Sequence, residues 1–322
     1  MNPRAPGKRV RFQDRPDRPT VRTCGDAACC APQSWRNVAL METRLGPFTT
    51  EHELPQPLKF AWPLILLPEL FTGATHLALA RGYFASLGWE VYTPDLRSAS
   101  GADELSRISR ASGFEKLRAA LACALDALAR DVIFVGHGIG GLLALDAARH
   151  PQARAAVALA PMLPGVRSPL VSGIANWRAR RFGGALRVPR GRILIDLFAD
   201  ADPFQRQALE RALVSDDARA AVEVVRGRCA PAGEAMAPRL IVSGDSDPFA
   251  PLEMTRAFAE RIGATLRVVR GRGHWLVGGR ALERMVAEVQ RFLVRGLGRD
   301  LLLLYSEDRA GDAGEEESDD ED

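Results

Sequence analysis

The run from Asp131 to Ala147, DVIFVGHGIGGLLALDA, restricts this chain more than any other stretch. Val132, Ile133, Phe134 and Val135 form an apolar run of the length of a buried strand. Gly136-His137-Gly138-Ile139-Gly140-Gly141 is too rich in glycine for a strand or helix interior, so it reads as a tight turn. Leu142, Leu143 and Leu145 then begin a helix whose free N–H groups face back toward the turn. A strand that breaks at once into a helix belongs to an α/β sheet and leaves a small site at the sheet edge beside backbone donors.

Two chemistries use such a turn. One is the nucleophile elbow G-x-S-x-G, which projects a serine from a strained position. Here Gly138 stands where the serine would be. The other is the dinucleotide fingerprint G-x-G-x-x-G, matched by Gly136, Gly138 and Gly141. That fingerprint needs an acidic residue about 20 positions later for the ribose hydroxyls. No acidic residue occurs between Asp146 and Asp196, and the turn lies late in the chain, so the elbow is the better description.

The flanking pattern alternates strands and helices. Pro63–Leu67 is a buried strand, followed by the turn Pro68-Glu69-Leu70-Phe71-Thr72-Gly73. Thr75–Leu87 has helical spacing, Trp89–Tyr92 is a strand, 97–112 a loop and Phe114–Ala129 an amphipathic helix. After the elbow, Ala155–Ala160 is a strand. Arg239–Ser243, Leu252–Ile262, Thr265–Val269 and Arg280–Val294 resume the alternation. Such alternation implies right-handed crossovers and a mostly parallel, doubly wound sheet. Residues 162–238 interrupt it, with one clear helix near Phe204–Val214, and read as a helical lid over the sheet edge where ligands bind. The expected organisation is a basic, proline-rich disordered tail (1–35), a first core half (36–161) opening on an irregular strand pair, the lid (162–238), a second core half (239–306) and an acidic disordered tail (307–322).

The tails carry opposite charge, about +5 over residues 1–22 and −9 over 307–322, as solvated ends do. Within the first, Lys8-Arg9-Val10-Arg11-Phe12 resembles the short docking motif for protein phosphatase 1. Cys24, Cys29 and Cys30 lack a fourth ligand at zinc-like spacing, so no metal site and no cofactor are expected. Five cysteines, an odd number, suit a reducing compartment. The start lacks the apolar segment of a signal peptide, and no apolar run reaches the length of a membrane span. A cytoplasmic protein is expected. The arginines are not interleaved with aromatics, so no nucleic-acid role is expected, and no protein partner is specified.

With these parts in order, the chain resembles the α/β-hydrolase family, and the lidded esterase and lysophospholipase-like branch in particular, over roughly residues 60–296. The resemblance rests on Leu64–Leu67 with its following turn, Val91-Tyr92-Thr93-Pro94-Asp95-Leu96-Arg97, and the elbow Gly136–Gly141. It rests also on the acid-type loop Gly244-Asp245-Ser246-Asp247-Pro248-Phe249-Ala250-Pro251 and the histidine-type loop Gly271-Arg272-Gly273-His274-Trp275. It implies His274 as general base, Asp247 (or Asp245) as the residue orienting it, and backbone N–H groups of Ile139 and Leu70 as the oxyanion hole. His137 is expected to be a structural elbow residue, Cys123 a core residue, and His52, His76 and His150 to have no partner pattern.

Two departures from the family bear on function. Gly138 has no attacking atom, and acyl-enzyme chemistry requires one. Pro68-Glu69 replaces the usual His-Gly, which puts a carboxylate beside the oxyanion hole if the side chain turns inward. The expectation is a pseudohydrolase holding a small apolar or acyl-type ligand under the lid. The alternative is a non-covalent hydrolase or lyase using the His274–Asp247 pair as base. In the lid, Trp177, Phe182, Leu186 and Val188 among Arg178, Arg180, Arg181, Arg187, Arg190 and Arg192 read first as a solvated arginine-rich surface, and would also suit an amphipathic anionic ligand.

Overall fold

The computed structural model of the chain describes residues 38–101, 113–172, 177, 181, 184–229, 231 and 235–302. The charged tails, the Lys8–Phe12 motif, Cys24, Cys29, Cys30, Arg178, Arg180 and Phe182 lie outside the described residues.

The fold is a mostly parallel α/β sheet. Its elements run β1 (Val38–Leu45), β2 (Phe48–Pro55), β3 (Leu64–Leu67), α1 (Ala74–Ser86), β4 (Val91–Pro94), α2 (Gly113–Leu128), β5 (Val132–His137), α3 (Ile139–Ala147) and β6 (Ala153–Leu159). A non-alternating segment follows: β7 (Ala185–Leu186), α4 (Arg192–Leu197), α5 (Pro203–Ala212), β8 (Asp216–Asp217) and α6 (Ala218–Val225). The alternation returns with β9 (Arg239–Gly244), α7 (Leu252–Ile262), β10 (Thr265–Val269) and α8 (Leu282–Leu297). Eight strands form the main sheet in the order β1-β2-β4-β3-β5-β6-β9-β10. The hairpin β1–β2 joins β4 antiparallel, and every later pairing in the main sheet is parallel.

Burial explains the strand sequences. β5 has neighbours on both sides and is buried at all six positions, so its residues read as a continuous apolar run rather than an alternation. α8 buries Met285, Val286, Val289 and Leu293, the spacing of one helical stripe. The register pairs Leu67 of β3 with Gly136 of β5 and Val269 of β10 with Gly244 of β9. Four loops, after β3, β5, β9 and β10, are thereby gathered along one edge.

Several local expectations are corrected. Residues 38–55 form a regular hairpin of two eight-residue strands rather than an irregular pair. The segment between β6 and β9 holds three described helices, not one. α4 and α6 are six and eight residues long, too short to show a repeated apolar stripe. A short 3₁₀ turn, Leu96–Gly101, opens what reads as loop. Cys123 is exposed: the buried face of α2 is Ala120, Leu121, Ala124 and Leu125, and position 123 lies off that arc.

The histidines also have partners. Nδ1 of His150 accepts from the Gln152 N–H at 3.3 Å. His52 stands 3.0 Å from Glu90, stacked on Tyr92, while the Tyr92 hydroxyl donates to Glu90 at 2.8 Å and the Arg130 guanidinium donates to it at 3.0 Å. Burial alone would raise the Glu90 pKa. The hydrogen bonds from His52 and Tyr92 and the Arg130 charge outweigh it and hold the carboxyl at about 2, against an ordinary 4.5. A depressed carboxyl contributes stability that is complete above 4.5 and is lost as pH falls toward 2. Urea unfolding across that window should show Glu90→Gln with a shallower loss of stability than the parent. Parallel profiles would remove this network from the acid response.

Candidate functional site

The elbow keeps its sharp geometry without its nucleophile. Gly138 has φ 54° and ψ −114°, a region that glycine occupies freely and other residues rarely. With glycine at its apex the turn still has the sharp backbone of an elbow. Gly140 lets α3 approach the neighbouring turn: a Cβ there would stand 2.5 Å from the carbonyl oxygens of both Leu67 and Pro68.

Glu69 fills the space so created. Its side chain turns inward and is only 1% exposed. Oε1 accepts the backbone N–H of Leu70 at 2.6 Å and that of Ile139 at 3.2 Å. These are the two donors expected to form an oxyanion hole. Oε2 stands 3.3 Å from Nε2 of His274. A Cβ built on Gly138 would lie 1.2 Å from Oε2 of Glu69. One carboxylate thus occupies both backbone donors, the space over Gly138 and the near side of the imidazole.

The other two expected residues meet as the chain order implies. Nδ1 of His274 stands 2.9 Å from Oδ2 of Asp247, and Oδ1 of Asp247 accepts from the N–H groups of Phe249 and Ala250 at 2.8 and 3.2 Å. Asp247 therefore both ties its own loop and faces the imidazole. Asp245, the other candidate acid, instead accepts from the Gly271 N–H at 2.7 Å. His137 donates from Nε2 to the His274 carbonyl at 2.9 Å, the structural contact expected of it.

Electrostatics separate the two imidazoles. Burial favours neutral His274, but Asp247 and then Glu69 outweigh it and push the pKa up to about 10. His137 is fully enclosed, and burial with the adjacent His274 charge brings its pKa down to about 4. Near neutral pH His274 is an imidazolium between two carboxylates and His137 is neutral.

Supports that the sequence did not announce hold this arrangement. The Phe71 N–H donates to Asp216 at 3.0 Å, and the Val214 N–H donates to the Phe71 carbonyl at 3.0 Å. The Gly273 N–H donates to Asp200 at 2.7 Å. The segment between β6 and β9 is thereby tied to both the Glu69 turn and the His274 loop. His76 accepts the Gly73 N–H on Nδ1 at 3.2 Å and donates from Nε2 to the Leu209 carbonyl at 3.0 Å. Its pKa falls to about 4, chiefly through burial. No chain signal marked these residues, because the contacts Phe71–Asp216, His76–Leu209 and Gly273–Asp200 join positions far apart in sequence.

Beside Glu69 opens a cavity of about 670 Å³. Leu70, Leu96, Leu117, Ile139 and Ala220 give it apolar walls, and Arg97, Lys116, Asp216 and Arg219 give it charge. The dinucleotide reading fails here on space and charge: a carboxylate already occupies the N-terminus of α3 where a pyrophosphate would sit.

Residues 55–288 match the alpha/beta hydrolase family. Among solved structures, the chain is similar to a monoacylglycerol lipase from Paleococcus ferrophilus at 19% identity and a TM-score of 0.56, covering 74% of this chain and 97% of that one. It is similar to a serine hydrolase from Cycloclasticus zankles at 16% identity and 0.56, covering 82% and 100%. It is also similar to a thermophilic esterase from Thermogutta terrifontis at 17% identity and 0.54, covering 80% and 94%. A search of curated proteins finds no match.

Serine at position 138 should collide with Glu69 and cost about 3 kcal/mol of stability, the range of an overpacked core. Glu69→Ala combined with Gly138→Ser should regain most of that loss in urea unfolding. His274→Ala should cost about 3–5 kcal/mol, because it strands two buried carboxylates. In a Glu69→Ala background the same change should cost less, and strictly additive losses would exclude the Glu69–His274 coupling.

Proposed function

Starting from a chain that belongs to the alpha/beta hydrolase family, we propose that it is a pseudohydrolase, unable to form an acyl-enzyme, that binds a small ligand in the cavity beside Glu69. One observation carries this reading. The Glu69 carboxylate takes both oxyanion donors and the nucleophile's volume, so a substrate carbonyl has neither an attacking atom nor an oxyanion hole to enter.

The carboxylate lies as a bound acid product would lie, with one oxygen on the backbone donors and the other facing the imidazole. The site carries its own product mimic. Asp247 and His274 then have a reason to persist without chemistry: they neutralise and hold Glu69. The alternative, His274–Asp247 as a base in a non-covalent hydrolase or lyase, meets an obstacle in the His274 pKa of about 10. An imidazole protonated at neutral pH has no lone pair to take a proton.

The ligand we infer is small and largely apolar, of acyl type. A volume of about 670 Å³ suits a molecule of that size. Leu70, Leu117 and Ile139 would pack the apolar part, with Arg97 and Lys116 at hand for an anionic end. The segment 162–238 serves as the lid, fastened through Asp200 and Asp216.

The test is p-nitrophenyl ester hydrolysis together with labelling by a serine-directed fluorophosphonate. The chain as it stands should show neither, and Gly138→Ser alone should show neither, because Glu69 still fills the hole. Glu69→Gly with Gly138→Ser should acquire both, and His274→Ala should abolish the gain. Ester hydrolysis by the unsubstituted chain that Glu69→Gln or His274→Ala removes would sink the pseudohydrolase reading in favour of non-covalent chemistry.

A further inference from the structure

Glu69, His137 and His274 come from three different loops or strand ends, and ligating atoms of all three lie within 4.8 Å of one another. Each already has its other polar atom committed. Oε1 of Glu69 is held by two backbone N–H groups, which leaves Oε2. Nδ1 of His274 is held by Asp247, which leaves Nε2. Nε2 of His137 donates to the His274 carbonyl, which fixes that tautomer and leaves a lone pair on Nδ1. Nδ1 of His137 is buried and has no hydrogen-bond partner among the described residues.

An orphaned, fully enclosed imidazole nitrogen is costly, and a buried group left so calls for a partner. The pattern around the cluster is that of a metal's outer layer: one histidine oriented by a carboxylate, the other by a backbone carbonyl. We propose that Glu69 Oε2, His137 Nδ1 and His274 Nε2 bind one divalent transition metal of the zinc class.

Two nitrogens and one carboxylate oxygen favour zinc or a similar ion over magnesium or calcium, which prefer all-oxygen shells. Bonds of about 2.0–2.1 Å put tetrahedral ligands about 3.3 Å apart. The Glu69–His274 edge is already 3.3 Å. The three residues' ligand atoms lie within 4.8 Å of one another, so the edges close by at most about 1.5 Å on binding. Glu69 also lines the cavity, so the ion has a route in and the cavity offers the fourth position to water or to an anionic ligand. On entry, the ion forms its bond to His274 Nε2 and the displaced proton leaves to solvent. The site departs from the expectation of no metal, which rested on spacing within the chain. Residues 69, 137 and 274 have no such spacing.

The experiment titrates full-length, metal-stripped protein with cobalt(II), with Cys24, Cys29, Cys30 and Cys123 changed to serine so that those thiols cannot compete. One cobalt per chain should bind with the visible absorption of a tetrahedral ion, and zinc should displace it. His137→Gln and Glu69→Gln should each weaken binding by 10-fold or more, and Asp247→Asn by roughly 10- to 100-fold as an outer-layer change. Zinc should raise the melting temperature of the parent and not of the two ligand variants. Glu69→Gln is isosteric, so its melting without metal reports whether it folds. Absence of the cobalt band in the parent overturns the proposal. So does a band of equal strength in folded Glu69→Gln or His137→Gln. Neither result bears on the ester assay, so the site and the pseudohydrolase reading fail separately.

Discussion

The hydrogen bonds from Leu70 and Ile139 to one carboxylate oxygen of Glu69 are the interaction on which the rest of this site depends. They anchor a carboxylate whose side chain is almost wholly buried. Everything else at the sheet edge answers that charge. His274 is held as its cation, Asp247 fixes the far side of the ring, and Gly138 withholds the side chain that would collide. Burying an ionised carboxylate is expensive unless it is paired and fully hydrogen-bonded, and here both conditions are met. Asp247, His274 and Glu69 thereby form a buried network of ion pairs.

Much of this fold could be read directly. β5, the elbow and α3 show themselves because a buried strand, a glycine turn and an apolar helix each leave a local mark. α7 and β10 have the residue bounds that their periodicity implies. The loops bearing Asp247 and His274 were legible through the family resemblance, by their motifs and their order in the chain. What escaped depends on contacts between distant residues. The fate of Glu69 is set by the empty volume over Gly138, 69 positions later. Asp200 and Asp216 acquire roles only when the segment between β6 and β9 folds back on two loops. Cys123 shows the limit of counting apolar neighbours on a helix: one position outside the buried arc reverses the outcome.

The segment between β6 and β9 matters to the site by support more than by cover. Its contacts reach the Glu69 turn through Phe71 and the His274 loop through Gly273. Phe71 has φ 67°, unusual for a bulky residue, and both of its backbone polar groups bond to that segment. The strain at Phe71 is thus held in place from outside the sheet. Movement of the segment would be felt first at the turn that carries Glu69.

Gly138 and Glu69 also form a lock with two keys. A chain given only a serine at position 138 would meet a carboxylate in its way, and one deprived only of the carboxylate would free two backbone donors with no attacking atom beside them. Two positions 69 residues apart are thereby bound to each other: what can stand at one is decided by what stands at the other.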